Sequence, residues 1–312
     1  MEKIPRLQKN LYGFNDIFLI LKNLFEKKKL SNKILFSGQK GIGKCTFAYH
    51  LSNYILSLNE VNPYDFNKKE INYNNKSFKL VANNSHPNFF LINLKDEKKS
   101  IDISQVRTMI NFTNKTSFDD GYKIILIDNV ENLNINSTNA LLKIIEEPNN
   151  NVIFILIHDI QKKIFNTLRS RCIQFKLGLS TNIKGEIINS LTNDHFYTQL
   201  NSDFKNHYNT PGEYIHYYYF CLDNDIDYIG TNIENLLKFI LDNLLYKKNN
   251  YIKYYLTNYI ELFFLKKMKY LKSKNNVYYL YNYFIKKLDN AKKYNLDFET
   301  LLLEFNSKLL NE

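Results

Sequence analysis

ILFSGQKGIGKCTFAYHLSNYIL, residues 34–56, passes from a short apolar run through a glycine-bearing turn into a periodic apolar segment. Ile34, Leu35 and Phe36 make the run, Gly38 to Gly43 the turn, and Phe47, Leu51, Tyr54 and Ile55 recur at helical spacing. Strand, loop, helix is the setting in which Gly38, Gly41, Gly43 and Lys44, at Walker A spacing, form a phosphate-binding loop. The glycines let backbone N–H groups turn inward to cradle phosphate oxygens, and the helix N-terminus adds the positive end of its dipole. Lys44 would reach the terminal phosphates. The other reading of the same residues is a glycine-rich strand-to-helix turn without a ligand.

The departures from the motif matter more than the match. The residue after the lysine should carry a hydroxyl to hold Mg²⁺, and Cys45 stands there. A thiol is soft, whereas magnesium prefers oxygen. Thr46 has the hydroxyl but lies about 100° further round the helix. The second half of an ATPase site is expected at the end of KIILID, residues 123–128, where Asp128 is placed as the Walker B carboxylate. The next residue, which would orient attacking water, is Asn129, whose amide can neither take a proton nor carry charge. These two losses predict a degenerate nucleotide site without intrinsic hydrolysis, leaving open only passive binding of ATP or ADP.

Further apolar runs lie at Phe89 to Leu94, Lys123 to Asp128, Val152 to Ile157 and Ile173 to Phe175. Between them, helical patterns cover residues 18–25, 104–112 (with Ser104 as the expected N-cap) and 136–147, the last stopped by Pro148. Asn62 to Asn84 is polar and without clear periodicity, and reads as an irregular insertion. Continuous apolar strands alternating with helices predict a parallel sheet covered on both faces, hence an α/β domain. After Leu177 the pattern is helical only.

Lys plus Arg exceeds Asp plus Glu by 42 − 31 = 11, which suits an acidic partner, although the wealth of Lys, Asn, Ile, Tyr and Phe is also what AT-rich codons produce. Three cysteines, Cys45, Cys172 and Cys221, make neither a disulfide framework nor a four-cysteine zinc site. No signal-like or membrane-length apolar run occurs, so a cytoplasmic protein without membrane contact is expected. The six histidines show no metal-site spacing. Glu146 and Glu147 point about 100° apart on a helix, which suits subunit or intramolecular contacts rather than a shared substrate. Between Tyr246 and Lys287, ten lysines and one acid are interleaved with aromatics. That segment reads as an aromatic-cored helical domain with a solvated lysine face, or alternatively as a nucleic-acid surface.

LYGF at 11–14, SHPNFFLI at 85–92, IDISQVRTMINF at 101–112, YKIILIDNVENLN at 122–134, NALLKIIEEP at 139–148 and TLRSRC at 167–172 follow one another as they do in bacterial clamp loaders. With the P-loop segment they make the chain resemble the AAA+ clamp-loader family of DNA polymerase III, its delta-prime branch above all. The resemblance is strong over residues 5–178. It implies that Arg171, in the Ser170-Arg171-Cys172 motif, projects into a neighbouring subunit's ATP site as an arginine finger. It also implies a sensor threonine where Ile157-His158-Asp159 stands and a sensor arginine near 209–213, where this chain has none. The family's four-cysteine zinc module has no counterpart in residues 57–87.

The resemblance implies an AAA+ domain over 1–178, a small helical lid over 179–228 and an all-α collar over 229–312. It implies a largely non-hydrolysing stator within the polymerase III holoenzyme, with no polymerase site of its own. Its partners would be the gamma/tau and delta subunits, the sliding clamp, and primer–template DNA through the assembly. The rival is an active gamma/tau-like motor using Lys44 and Asp128, and a third reading is a monomeric DNA-binding protein.

Overall fold

The computed structural model describes the chain except for residues 1–3, 96, 97, 99, 118–120, 148–150, 193–194, 206–208, 271–273, 295–296 and 311–312. Pro148 and His207 therefore lie outside the described residues. Two compact units emerge: residues 1–188 with Thr210–Glu213, and residues 189–209 with 214–312. Of the expected lid, residues 179–188 and 210–213 belong to the first unit, and the rest of it lies in the second unit with the expected collar.

The first unit opens with α1 (Asn15–Glu26), whose Phe18, Leu21 and Phe25 are buried on one face. β1 (Lys33–Gly38) leads through the glycine turn into α2 (Lys44–Leu56). α3 (Lys76–Ala82) precedes β2 (Phe89–Ile92). α4 (Ile103–Asn114), β3 (Lys123–Ile127), α5 (Ile135–Glu146) and β4 (Val152–Asp159) follow. α6 (Asn166–Arg169), β5 (Ile173–Lys176) and most of α7 (Thr181–Leu191) close the series. The five strands form one parallel sheet in the order β2-β3-β4-β1-β5. Ile34, Ile124, Leu126 and Ile155 bury into a cluster on one face with α1 and α2, while Leu35, Ile125, Ile127 and Leu156 bury into a second with α4 and α5. That double coverage is why the strand sequences are apolar without alternation.

Two expectations are corrected here. Residues 62–84 are not wholly irregular: α3 forms because Asn75 caps it, its side chain accepting from the Phe78 amide, and Glu60 accepts from the amides of Lys76 and Ser77. Those carboxylate bonds satisfy first-turn donors that the local sequence alone leaves orphaned. The N-cap position of α4 is Asp102, whose side chain makes no capping bond, and not Ser104, which lies within the helix and accepts from Thr108 through its carbonyl.

The second unit contains α8 (Phe196–Gln199), most of α9 (Pro211–Asp223), α10 (Ile233–Asp242), α11 (Leu245–Lys248), α12 (Asn250–Tyr270), α13 (Lys274–Tyr294) and α14 (Phe298–Phe305). Phe263, Phe264, Phe284 and Phe305 are fully buried and mutually packed, with ring centroids 5.3 to 6.2 Å apart. Several lysines of the basic segment pair with the unit's own acids, Lys266 with Asp203 at 2.6 Å, Lys247 with Glu299 at 2.5 Å and Lys287 with Glu304 at 3.1 Å. Among the described residues no helix is long and apolar enough to cross a membrane.

Candidate functional site at the P-loop and the arginine after helix 6

The turn between β1 and α2 takes its shape from glycine. Gly41 and Gly43 have φ of +85° and +94°, where a Cβ is strained, and α2 starts from Gly43. Lys44 is buried, and its ammonium donates to the carbonyl oxygens of Gly38 at 2.8 Å and Gln39 at 2.6 Å. Burial pushes its pKa down, and the carboxylates of Asp159, Glu131 and Asp128 pull it back. Only the last of these three acids was legible as a site residue. Glu131 is held by the Asp159 amide, 3.2 Å from its Oε2, and sits 3.8 Å from the Lys162 ammonium.

Cys45 and Asp128, 83 positions apart, are brought together. The thiol donates to Asp128 Oδ2 across 3.8 Å. Burial pushes the Cys45 thiol well up, and the neighbouring carboxylate pushes it further. Burial also raises the Asp128 carboxyl, against the pull of Lys44. The pair is a protonated thiol facing a carboxylate, a donor set that does not fit a hard cation demanding oxygen. Asn129 adopts left-handed φ of 57°, which asparagine tolerates better than most residues, and begins the short turn Val130–Asn132. Thr46 is half-buried on α2. Among the described residues no group of three or more His, Cys, Asp or Glu is arranged to hold a metal ion.

Residues 210–213 lie on the P-loop. The Gly212 N–H donates to the Gly41 carbonyl at 2.9 Å, a Cβ on Gly41 would collide with the Thr210 hydroxyl, and one on Gly212 would stand 2.9 Å from the Gly41 Cα. Glu213 accepts from the Thr210 amide at 2.8 Å. Its carboxyl is raised by burial and held back by that amide, Lys184 and Lys40. This stretch therefore presents a threonine and a glutamate where the resemblance looks for an arginine. At the sensor threonine position, His158 is buried: its Nε2 donates to the Lys162 carbonyl at 2.9 Å, and its Nδ1 is 3.2 Å from the Ser37 hydroxyl.

Arg171 makes its contacts elsewhere. It follows α6 and is exposed; its Nε donates to Glu146 Oε1 at 2.6 Å and its Nη1 to the Thr167 carbonyl at 2.9 Å. Cys172 packs against the second core cluster, and burial pushes its thiol up to about 11. Glu146 thus makes the intramolecular contact expected of the 146–147 pair.

A family model described as DNA polymerase III, delta subunit, matches residues 14–180. The chain is 31% identical over 140 residues to DNA polymerase III subunit delta' of Pseudomonas aeruginosa, covering 45% of this chain and 41% of that one. It is 31% identical over 176 residues to DNA polymerase III subunit gamma of Buchnera aphidicola, covering 55% and 46%. The chain thus aligns with less than half the length of these relatives. A crystal structure of a DNA polymerase III gamma subunit-related protein from Thermotoga maritima superposes with TM-score 0.52 at 15% identity, over 94% of this chain and 98% of that one, which shows a shared fold.

Proposed function

Since the chain belongs to the DNA polymerase III delta-subunit family of clamp-loader proteins, we propose that it works as a delta-prime-like stator, a subunit that does not hydrolyse ATP but supplies Arg171 to a neighbouring ATPase subunit. The observation that carries this reading is the Cys45–Asp128 contact, which puts a protonated thiol where a magnesium ligand would have to stand. The exposure of Arg171 supports the other half. A guanidinium offered from one subunit to the next would stabilise the charge that develops on a transferring phosphoryl group, an effect worth about 10³–10⁵ in rate in GTPases assisted in the same way. The partners of such a subunit are gamma/tau and delta subunits, the sliding clamp, and primer–template DNA held by the assembly in the cytoplasm. Nucleotide is not required by this chain, and no reaction step is assigned to its P-loop.

The second reading is a gamma/tau-like motor, favoured by the retention of Lys44 and Asp128 and by the similarity to a gamma subunit. The DNA- and clamp-stimulated ATPase of the reconstituted assembly separates the two. A stator predicts severe slowing by Arg171→Ala and near-normal turnover with Lys44→Ala. The reverse pattern establishes a motor.

A further inference from the structure

Resting on the reading of Arg171 just given, we infer that Glu146 is the positioning residue that aims the Arg171 guanidinium. The arginine is held at two points from two different elements. Glu146, the last residue of α5, accepts from Nε at 2.6 Å, and the Thr167 carbonyl of α6 accepts from Nη1 at 2.9 Å. A guanidinium has five N–H donors in a rigid fork. These two contacts use Nε–H and one hydrogen of Nη1, leaving one hydrogen on Nη1 and two on Nη2. Those remaining donors can reach oxygens of a phosphoryl group.

The backbone on either side is anchored: Leu168 is buried, and Cys172 packs against the same core cluster. What remains loose is the long side chain, and the carboxylate limits its rotamers. An acid in the last turn of a helix faces the negative end of the helix dipole, an unfavourable position that a bound cation relieves. Arg169 lies two positions away but makes a different contact, its Nε donating to the neutral Gln174 amide oxygen at 3.2 Å. Only Arg171 of these two pairs with Glu146 among the described contacts. The Arg171 and Glu146 side chains keep 38% and 49% of their surface exposed, so the pair stays accessible to a neighbouring subunit.

The test uses the reconstituted clamp loader, its stimulated ATPase measured with Arg171→Ala, Glu146→Ala, Glu146→Gln and the Arg171→Ala/Glu146→Ala double variant, together with the melting temperature of each chain. Positioning predicts a kcat lower by about tenfold for Glu146→Ala with KM for ATP little changed, since misplacing a reacting group costs rate rather than affinity. Glu146→Gln, which keeps the shape and an acceptor oxygen, recovers part of that loss and shows that folding is intact. On the Arg171→Ala background, removing Glu146 costs nothing more. Full activity of Glu146→Ala beside a slow Arg171→Ala overturns the positioning role alone, as do additive losses in the double variant. If Arg171→Ala itself turns over normally, the arginine-donor reading falls and this inference falls with it.

Discussion

Cys45 Sγ lies 3.8 Å from Asp128 Oδ2, joining the first turn of α2 to the end of β3 through a thiol-to-carboxylate hydrogen bond. In a hydrolytic site those two positions would both face magnesium. Wild-type chain is therefore expected to show the same affinity for a fluorescent ATP analogue with Mg²⁺ as with EDTA. Cys45→Ser, which restores a hard ligand, should tighten binding several-fold in Mg²⁺ only. A wild-type affinity that depends strongly on Mg²⁺ would instead favour the motor reading.

All three thiols should resist alkylation in the folded chain. Burial pushes Cys45 well up, Cys172 up to about 11 and Cys221 up to about 12. The thiolate is the reactive form, and an ordinary thiol near 8.5 is about a quarter ionised at pH 8. Iodoacetamide labelling at pH 8, followed by peptide mass spectrometry, should run roughly a hundredfold slower in native protein than in guanidinium chloride. Rapid native labelling of Cys45 would mean that the P-loop helix opens from β3.

Gly212→Ala is expected to lift residues 210–213 off the P-loop. Its Cβ would stand 2.9 Å from both Gly41 Cα and the carbonyl oxygen that the Gly212 N–H now engages. Hydrogen exchange of amides 38–44 should quicken while that of the β3 and β4 amides is unchanged. Gly41→Ala adds left-handed strain to a collision with Thr210 and should cost about 1–3 kcal/mol in urea unfolding. Unaltered exchange in Gly212→Ala would show that the contact does not protect the loop.

Stability should fall on mild acidification through His50. Its Nε2 donates to the Gln8 carbonyl and its Nδ1 is 2.9 Å from the Tyr64 hydroxyl, an arrangement that uses the neutral ring. Burial lowers its pKa to about 4. The unfolded chain, near 6.5, then binds the proton more readily, so stability is complete above pH 6.5 and is lost as pH drops toward 4. For this fully buried ring the loss amounts to roughly 3 kcal/mol. His86, also lowered to about 4 by burial, acts in the same direction. Urea midpoints that stay level from pH 7 to pH 4.5 would contradict both assignments.

The amino-acid sequence alone determined the strands, the major helices of the sheet unit and the position of the degenerate P-loop. Each of these rests on a local rule. A strand covered on both faces must be apolar throughout, as KIILI and VIFILI are, and a turn at φ of +85° or +94° calls for glycine, as at Gly41 and Gly43. Cys45 and Asn129 were equally readable, because a missing hydroxyl or carboxylate is a property of one residue. Local rules failed at α3, whose first-turn amides depend on Glu60 sixteen and seventeen positions earlier, and at the cap of α4. The folded chain alone decided that Asp159 and Glu131 share the field of Lys44, that Gly212 closes on Gly41, and that Arg171 finds Glu146 twenty-five positions before it. Burial periodicity is written along a segment. The meeting of charges from distant segments is not, because it depends on how the sheet order and helix packing bring their ends together in space.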